Sequence, residues 1–183
     1  MQIERIHHVA YRCHDAKETV EWYVKNLNMD FVLAIAEDQV PSTKEPDPYM
    51  HVFLDAGNEN VLAFFELPTK PTMGRDENTP EWVQHIAFKV KDMPTLLAYR
   101  DHLENNGVEV LGVTDHSVFH SIYFFDPNGH RLELAAPDEQ EQAKIKRLDA
   151  VKWDMLEEWS QTKRAPKHAD WMHANEFDEE GHD

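Results

Sequence analysis

Two histidines and one glutamate carry the chemistry that this sequence is equipped to do. His8 lies in IHHVAYR and His85 in VQHIAFK, and the two segments align residue by residue. His8 falls on His85, Ala10 on Ala87, Tyr11 on Phe88, Arg12 on Lys89 and Asp15 on Asp92. A repeat that opens each copy with an imidazole points to a shared cation. Strand alternation places His8, Ala10 and Arg12 on one face and Val9 and Tyr11 on the other. The second copy repeats this, with His85, Ala87 and Lys89 opposite Ile86, Phe88 and Val90. The same register separates His8 from its neighbour His7, because only His8 matches His85.

Carboxylates come from later segments. Glu133 sits between Leu132 and Leu134 in RLELAA, so its side chain points away from the leucines. Glu66, in LAFFELP, is read as its counterpart in the first copy. A carboxylate on the inward face of a sheet is costly unless it is paired or bound to metal. Two imidazoles and one carboxylate form the facial triad of non-haem iron(II), which leaves positions open. With Glu66 added, the set becomes an N2O2 site suited to nickel, zinc or manganese as a Lewis acid.

The elements that must hold these residues follow the repeat. After each first strand an Asp leads into a stretch of helical period. The first carries Val20, Tyr23, Val24 and Leu27 on one side; the second carries Leu96, Leu97, Tyr99 and Leu103. Asn28 and Gly107 are the residues suited to left-handed caps. YMHVFLDAG and NVLAFFEL follow in the first copy, and VEVLGVTD, SIYFFD and HRLELAA in the second. Asp126-Pro127-Asn128-Gly129 is a strong turn signal between two strands. The order is β-α-β-β-β twice, an α+β fold in which the third strand of the first copy is poorly defined. The first module spans residues 1–70, a Pro- and charge-rich connection 71–82, and the second module 83–137. Residues 138–183 hold a C-terminal helix, with Ile145, Leu148, Lys152, Met155 and Trp159 spaced by three or four, and an acidic tail.

Composition narrows the function. With 18 basic and 35 acidic residues, the net charge is −17. That argues against nucleic acid and against an anionic membrane surface, both of which call for basic patches. No apolar run approaches the roughly 18 residues of a membrane span. MQIERIHHVAYR lacks the apolar centre of a signal peptide, and the single cysteine, Cys13, allows no intrachain disulfide. A cytoplasmic protein with a small-molecule substrate is the expectation, with a homodimer formed through the modules or the tail. His14, His51, His102 and His130 are read as surface residues, and His168, His173 and His182 as part of a polar tail.

Paired βαβββ modules with ligands at these positions resemble the vicinal oxygen chelate superfamily, which includes glyoxalase I, extradiol ring-cleaving dioxygenases and fosfomycin or bleomycin resistance proteins. The resemblance covers roughly residues 3 to 137. It implies curled sheets that together form a metal-containing cavity. TDHSVFHSIYFFDPNGHRLE, residues 114 to 133, resembles the extradiol dioxygenase signature. By that resemblance His8, His85 and Glu133 bind one divalent ion, Fe(II) ahead of Mn, Ni or Zn. His116 is then the acid/base histidine, with His120 as its substitute, and Tyr123 hydrogen-bonds the substrate oxygen. The sequence departs from the larger extradiol enzymes in having two modules where they carry four. Glyoxalase I instead suggests a four-ligand site with Glu66, for a lyase, isomerase or epimerase. The resistance proteins suggest a non-catalytic binder.

Overall fold

The repeat becomes two separate four-stranded sheets. The computed structural model describes residues 2–172, so His173, His182 and the acidic tail lie outside the described residues. The first half runs β1 (Val9–Cys13), α1 (Ala16–Leu27), β2 (Asp30–Gln39), β3 (Pro46–Asp55) and β4 (Val61–Glu66). The second runs β5 (Ile86–Lys89), α2 (Met93–Asn105), β6 (Leu111–Asp115), β7 (Phe119–Phe125) and β8 (Arg131–Pro137). Strand order is β1-β4-β3-β2 in one sheet and β5-β8-β7-β6 in the other. The first strand of each sheet pairs parallel with the last, and the other pairings are antiparallel. The α+β fold of two βαβββ units is as the repeat predicts. A long helix, α3 (Glu141–Thr162), follows, then a 3-10 turn over Lys167–Met172.

The helices start where the sequence indicates. Asp15 accepts from the backbone N–H of Glu18 at 2.8 Å, and Asp92 from that of Thr95 at 3.0 Å. Each satisfies a donor that the first helical turn leaves free. Asn28 takes the left-handed cap of α1 with φ 53. In the second half Gly107 has the positive φ, 80, one residue beyond the cap Asn106.

One face of each sheet packs on the helices. Val52, Leu54, Leu62 and Phe64 meet Tyr23 and Leu27, while Ile122, Phe124, Leu132 and Leu134 join Leu96 and Leu103 in the same core. The β7–β8 turn locks the halves together. The Tyr23 hydroxyl donates to Asp126 at 3.0 Å, Asn128 donates to the Thr19 hydroxyl at 3.1 Å, and the His14 N–H donates to Asn128 at 2.8 Å. Nε2 of His130 lies 2.8 Å from the Arg12 carbonyl. His130 is therefore a half-buried inter-module contact rather than the surface residue that its polarity suggests.

The other face of each sheet is open. Leu33, Ile35 and Leu111 pair across the strands with Phe53, His51 and Tyr123, and remain 44%, 44% and 46% exposed. β2 is exposed along its whole length. From sequence the weak strand is expected third in this half, whereas it is the second: FVLAIA is apolar at consecutive positions, so it has no alternation to read. α3 has no buried residue and displays Ile145, Trp153, Leu156 and Trp159. No helix among the described residues is long and apolar enough to cross a membrane.

Candidate metal centre

In β8, Leu132 and Leu134 face the core, which turns Glu133 to the open side. There it pairs in register with Ala87 on β5 and Tyr123 on β7. Its carboxylate is 3% exposed. One oxygen accepts from the Ser121 hydroxyl, and the other lies 2.9 Å from Nε2 of His85. His85 is two residues before Ala87 and so shares its face. Nδ1 of His85 lies 3.1 Å from the Val83 carbonyl. With Nδ1–H donating there, the lone pair of Nε2 meets a carboxylate oxygen head-on. A proton or a metal ion held by both atoms resolves that opposition, and both donors are of types that a divalent cation takes.

Tyr123 stands beside this pair. It is 9% exposed, and its hydroxyl is 2.7 Å from Nε2 of His116. Burial, and after it the charge of Glu133, pushes the Tyr123 phenol above its ordinary pKa. The structure therefore brings together four of the residues singled out in the sequence: His85, Glu133, His116 and Tyr123. His120 lies instead in the register of Ile122 and Phe124, with Nδ1 3.7 Å from Asp115.

His8 is on the matching face of the other sheet. Its ring lies 5.5 Å from Phe53 and 6.0 Å from His51, and Nδ1 is 2.8 Å from Nδ1 of His7. Among the described residues, no three His, Cys, Asp or Glu side chains converge closely enough to hold a metal ion. One chain thus supplies the His85–Glu133 pair in one place and His8 in another.

Two expectations are corrected. Glu66 is in phase with Leu62 and Phe64 on the helix side, and its carboxylate accepts from the Ala16 N–H at 2.7 Å, at the start of α1. By register Ala63 pairs with Ala10 as Glu133 pairs with Ala87, so Ala63 occupies the place of a fourth ligand. LAFF is apolar on both faces, which hid this offset. His51 is not a surface residue: it is 8% exposed, stacked on Phe65 at 3.5 Å, and its Nε2 is buried without a partner. Burial, then His8, holds its imidazole below the usual histidine range. The signal was present in HVFL, where Val52 and Leu54 face the core and send His51 to the side of His8.

The residues 5–134 match the family model described as Glyoxalase/Bleomycin resistance protein/Dioxygenase superfamily. A putative ring-cleaving dioxygenase, MhqA, from Bacillus subtilis (strain 168) is 26% identical over 84 residues. That match takes in 46% of this chain and only 27% of the relative, so the chain spans a minor part of that protein's length. A glyoxylase/bleomycin resistance protein/dioxygenase domain from Frankia sp. EAN1pec superposes with TM-score 0.59 at 19% identity, covering 75% of this chain and all of that one. A glyoxalase family protein from Enterococcus faecalis gives 0.54 at 26% identity, covering 74% and 99%. A single-substitution mutant (Glu to Gln) of the fosfomycin resistance protein FosX from Listeria monocytogenes, complexed with Mn(II) and 1S,2S-dihydroxypropylphosphonic acid, gives 0.55 at 19%, covering 79% and 99%.

Proposed function

The chain belongs to the Glyoxalase/Bleomycin resistance protein/Dioxygenase superfamily, and from that premise we propose that it is an extradiol-type ring-cleaving dioxygenase of a catecholic substrate, with a metal site completed by two copies of the chain. The observation that carries the reading is the Tyr123–His116 hydrogen bond, 2.7 Å long, beside the His85–Glu133 pair. A glyoxalase-type site calls for a second carboxylate, and Ala63 stands where it would project.

His8, His85 and Glu133 would hold the ion. Fe(II) held by two imidazoles and one carboxylate would supply the open coordination that a catechol and dioxygen need. The chain's own groups then have distinct tasks. The Tyr123 hydroxyl, kept protonated by its surroundings, donates to a substrate oxygen. His116 orients that hydroxyl through Nε2. His51, on the face of His8 with its Nε2 unpartnered, would be the candidate to take a catechol proton once the site is assembled. Leu33, Ile35 and Leu111 exclude water once the open faces are covered.

Completion between copies is supported by the packing. The two modules are bound back to back through Tyr23, Thr19, Asp126 and Asn128. Carrying His8 to His85 within one chain would break that shared core. A second copy, applying its first sheet to the open second sheet, satisfies the site and the exposed leucines together.

The test is anaerobic loading with Fe(II), then oxygen uptake on addition of catechols. Stoichiometric uptake with a yellow ring-opened product is expected. No uptake with any catechol, together with full activity on another substrate in Ni(II) or Zn(II), sinks the reading.

A further inference from the structure

Arg131 stands out in a chain whose acidic residues outnumber its basic ones by 35 to 18. Lys70, Arg75, Lys89 and Lys144 all have carboxylate partners within 4.0 Å. Arg131 has none among the described residues, and its Nε is buried without a hydrogen-bond partner. Its side chain is half-buried at the start of β8, two residues before Glu133 and on the same face. The guanidinium carbon lies 4.4 Å from the centre of the Tyr123 ring. Nε has no partner there, and the planar fork of guanidinium N–H groups matches a carboxylate.

Space for such a group is present. A cavity of about 790 Å³ is bordered by both His85 and Arg131, with much of its wall formed by the 73–84 connection and the β7–β8 turn; it reaches the metal pair through His85, and Glu133 and Tyr123 do not line it. That is the size of a small-molecule site. Its other guanidinium, Arg75, is held by Glu81 at 2.6 Å, which leaves Arg131 as the unpaired one.

We infer that Arg131 is a specificity-determining residue that binds a carboxylate carried by the substrate. The substrate class is then an aromatic acid whose vicinal hydroxyls reach the metal while its acidic arm reaches Arg131. This rests on the dioxygenase reading and deepens it. An unpaired, half-buried guanidinium is expensive to maintain without an anion to meet, and the negative chain as a whole would otherwise repel an acidic substrate.

The test uses two matched pairs of probes on the full chain. 4-Hydroxyphenylacetate and 4-ethylphenol report binding by calorimetry. 3,4-Dihydroxyphenylacetate and 4-ethylcatechol report turnover by the iron-loaded protein. Wild type is expected to prefer the acidic member of each pair by at least about tenfold, as a charge-assisted bidentate contact provides. Arg131→Gln brings that preference to near unity while the neutral probe binds as before, and Arg131→Lys gives an intermediate preference. No preference in wild type overturns the proposal, as does a preference that survives Arg131→Gln. Equal weakening of both probes in both variants assigns Arg131 to packing on Tyr123, and also overturns it. So does loss of self-association in Arg131→Gln, which would mean that the anion is an acid of a second copy. Absence of oxygen uptake with the phenol preference intact removes the dioxygenase reading and leaves the anion site standing.

Discussion

Nε2 of His85 and a carboxylate oxygen of Glu133 lie 2.9 Å apart on the open face of the second sheet, with the other oxygen of Glu133 bonded to Ser121. In the proposed reading this pair would supply two of the three ligands of a facial triad from one chain. His85→Ala, Glu133→Ala and His8→Ala should each leave the purified protein without its metal, measured by elemental analysis. Glu66→Gln should keep wild-type metal content. It should lose about 1 kcal/mol of stability, because the neutral amide is a weaker partner for the N-terminus of α1. Loss of metal in Glu66→Gln would restore it to the ligand set.

In the proposed reading Tyr123 and His51 take part in the chemistry rather than in metal binding. Tyr123→Phe and His51→Gln should each lower kcat by about 10²-fold or more, the usual contribution of a positioned proton donor or acceptor, with metal content unchanged. Steady-state oxygen uptake beside metal analysis checks this. A rise in KM alone would make either residue a substrate contact without a part in proton transfer.

Alkaline pH should act through Tyr23. Its phenol is fully buried against Asp126. Burial, then the Asp126 charge, pushes its pKa well above the ordinary value. Between that ordinary value, about 10, and the folded one, the unfolded chain releases the proton and the folded chain retains it. The stability that this contact provides is therefore intact below about pH 10 and declines as pH rises, at up to about 1.4 kcal/mol per pH unit. Denaturant melts from pH 8 to 11 should show the decline, and Tyr23→Phe should reduce it above about pH 10, leaving the part due to Cys13, whose thiol burial pushes up to about 11. An unchanged slope in Tyr23→Phe would place the alkaline sensitivity elsewhere.

The fold was largely legible because the repeat was. His8 on His85 and Asp15 on Asp92 set the order of elements and both helix starts. Glu133 was legible because leucines flank it and fix its phase. Glu66 was misread because Ala63, Phe64 and Phe65 are apolar on both faces and give no phase. β2 escaped for the same reason, and because an exposed strand has no buried side to declare itself. His51 was dismissed on residue type, although the phase of Val52 and Leu54 already turned it toward His8. What no single-chain reading supplies is the separation of His8 from His85, because that depends on how the modules dock through the Asp126 turn.

That separation gives the most discriminating experiment. A homodimer of His8→Ala lacks the imidazole in both sites, and a homodimer of Glu133→Ala lacks the carboxylate in both. In a mixed dimer one site contains both defects. The other takes its intact His8 from the Glu133→Ala copy and its intact His85 and Glu133 from the His8→Ala copy. Random exchange of the two variants should therefore recover about a quarter of wild-type activity and metal, since half the dimers are mixed and each has one sound site. Dimers purified through two different affinity tags should reach about half. If each chain built its own site, every site would carry one defect and no recovery would occur. Mixed dimers that form, as the tags would show, yet stay inactive and metal-free would therefore return His8 to the same chain as its partners.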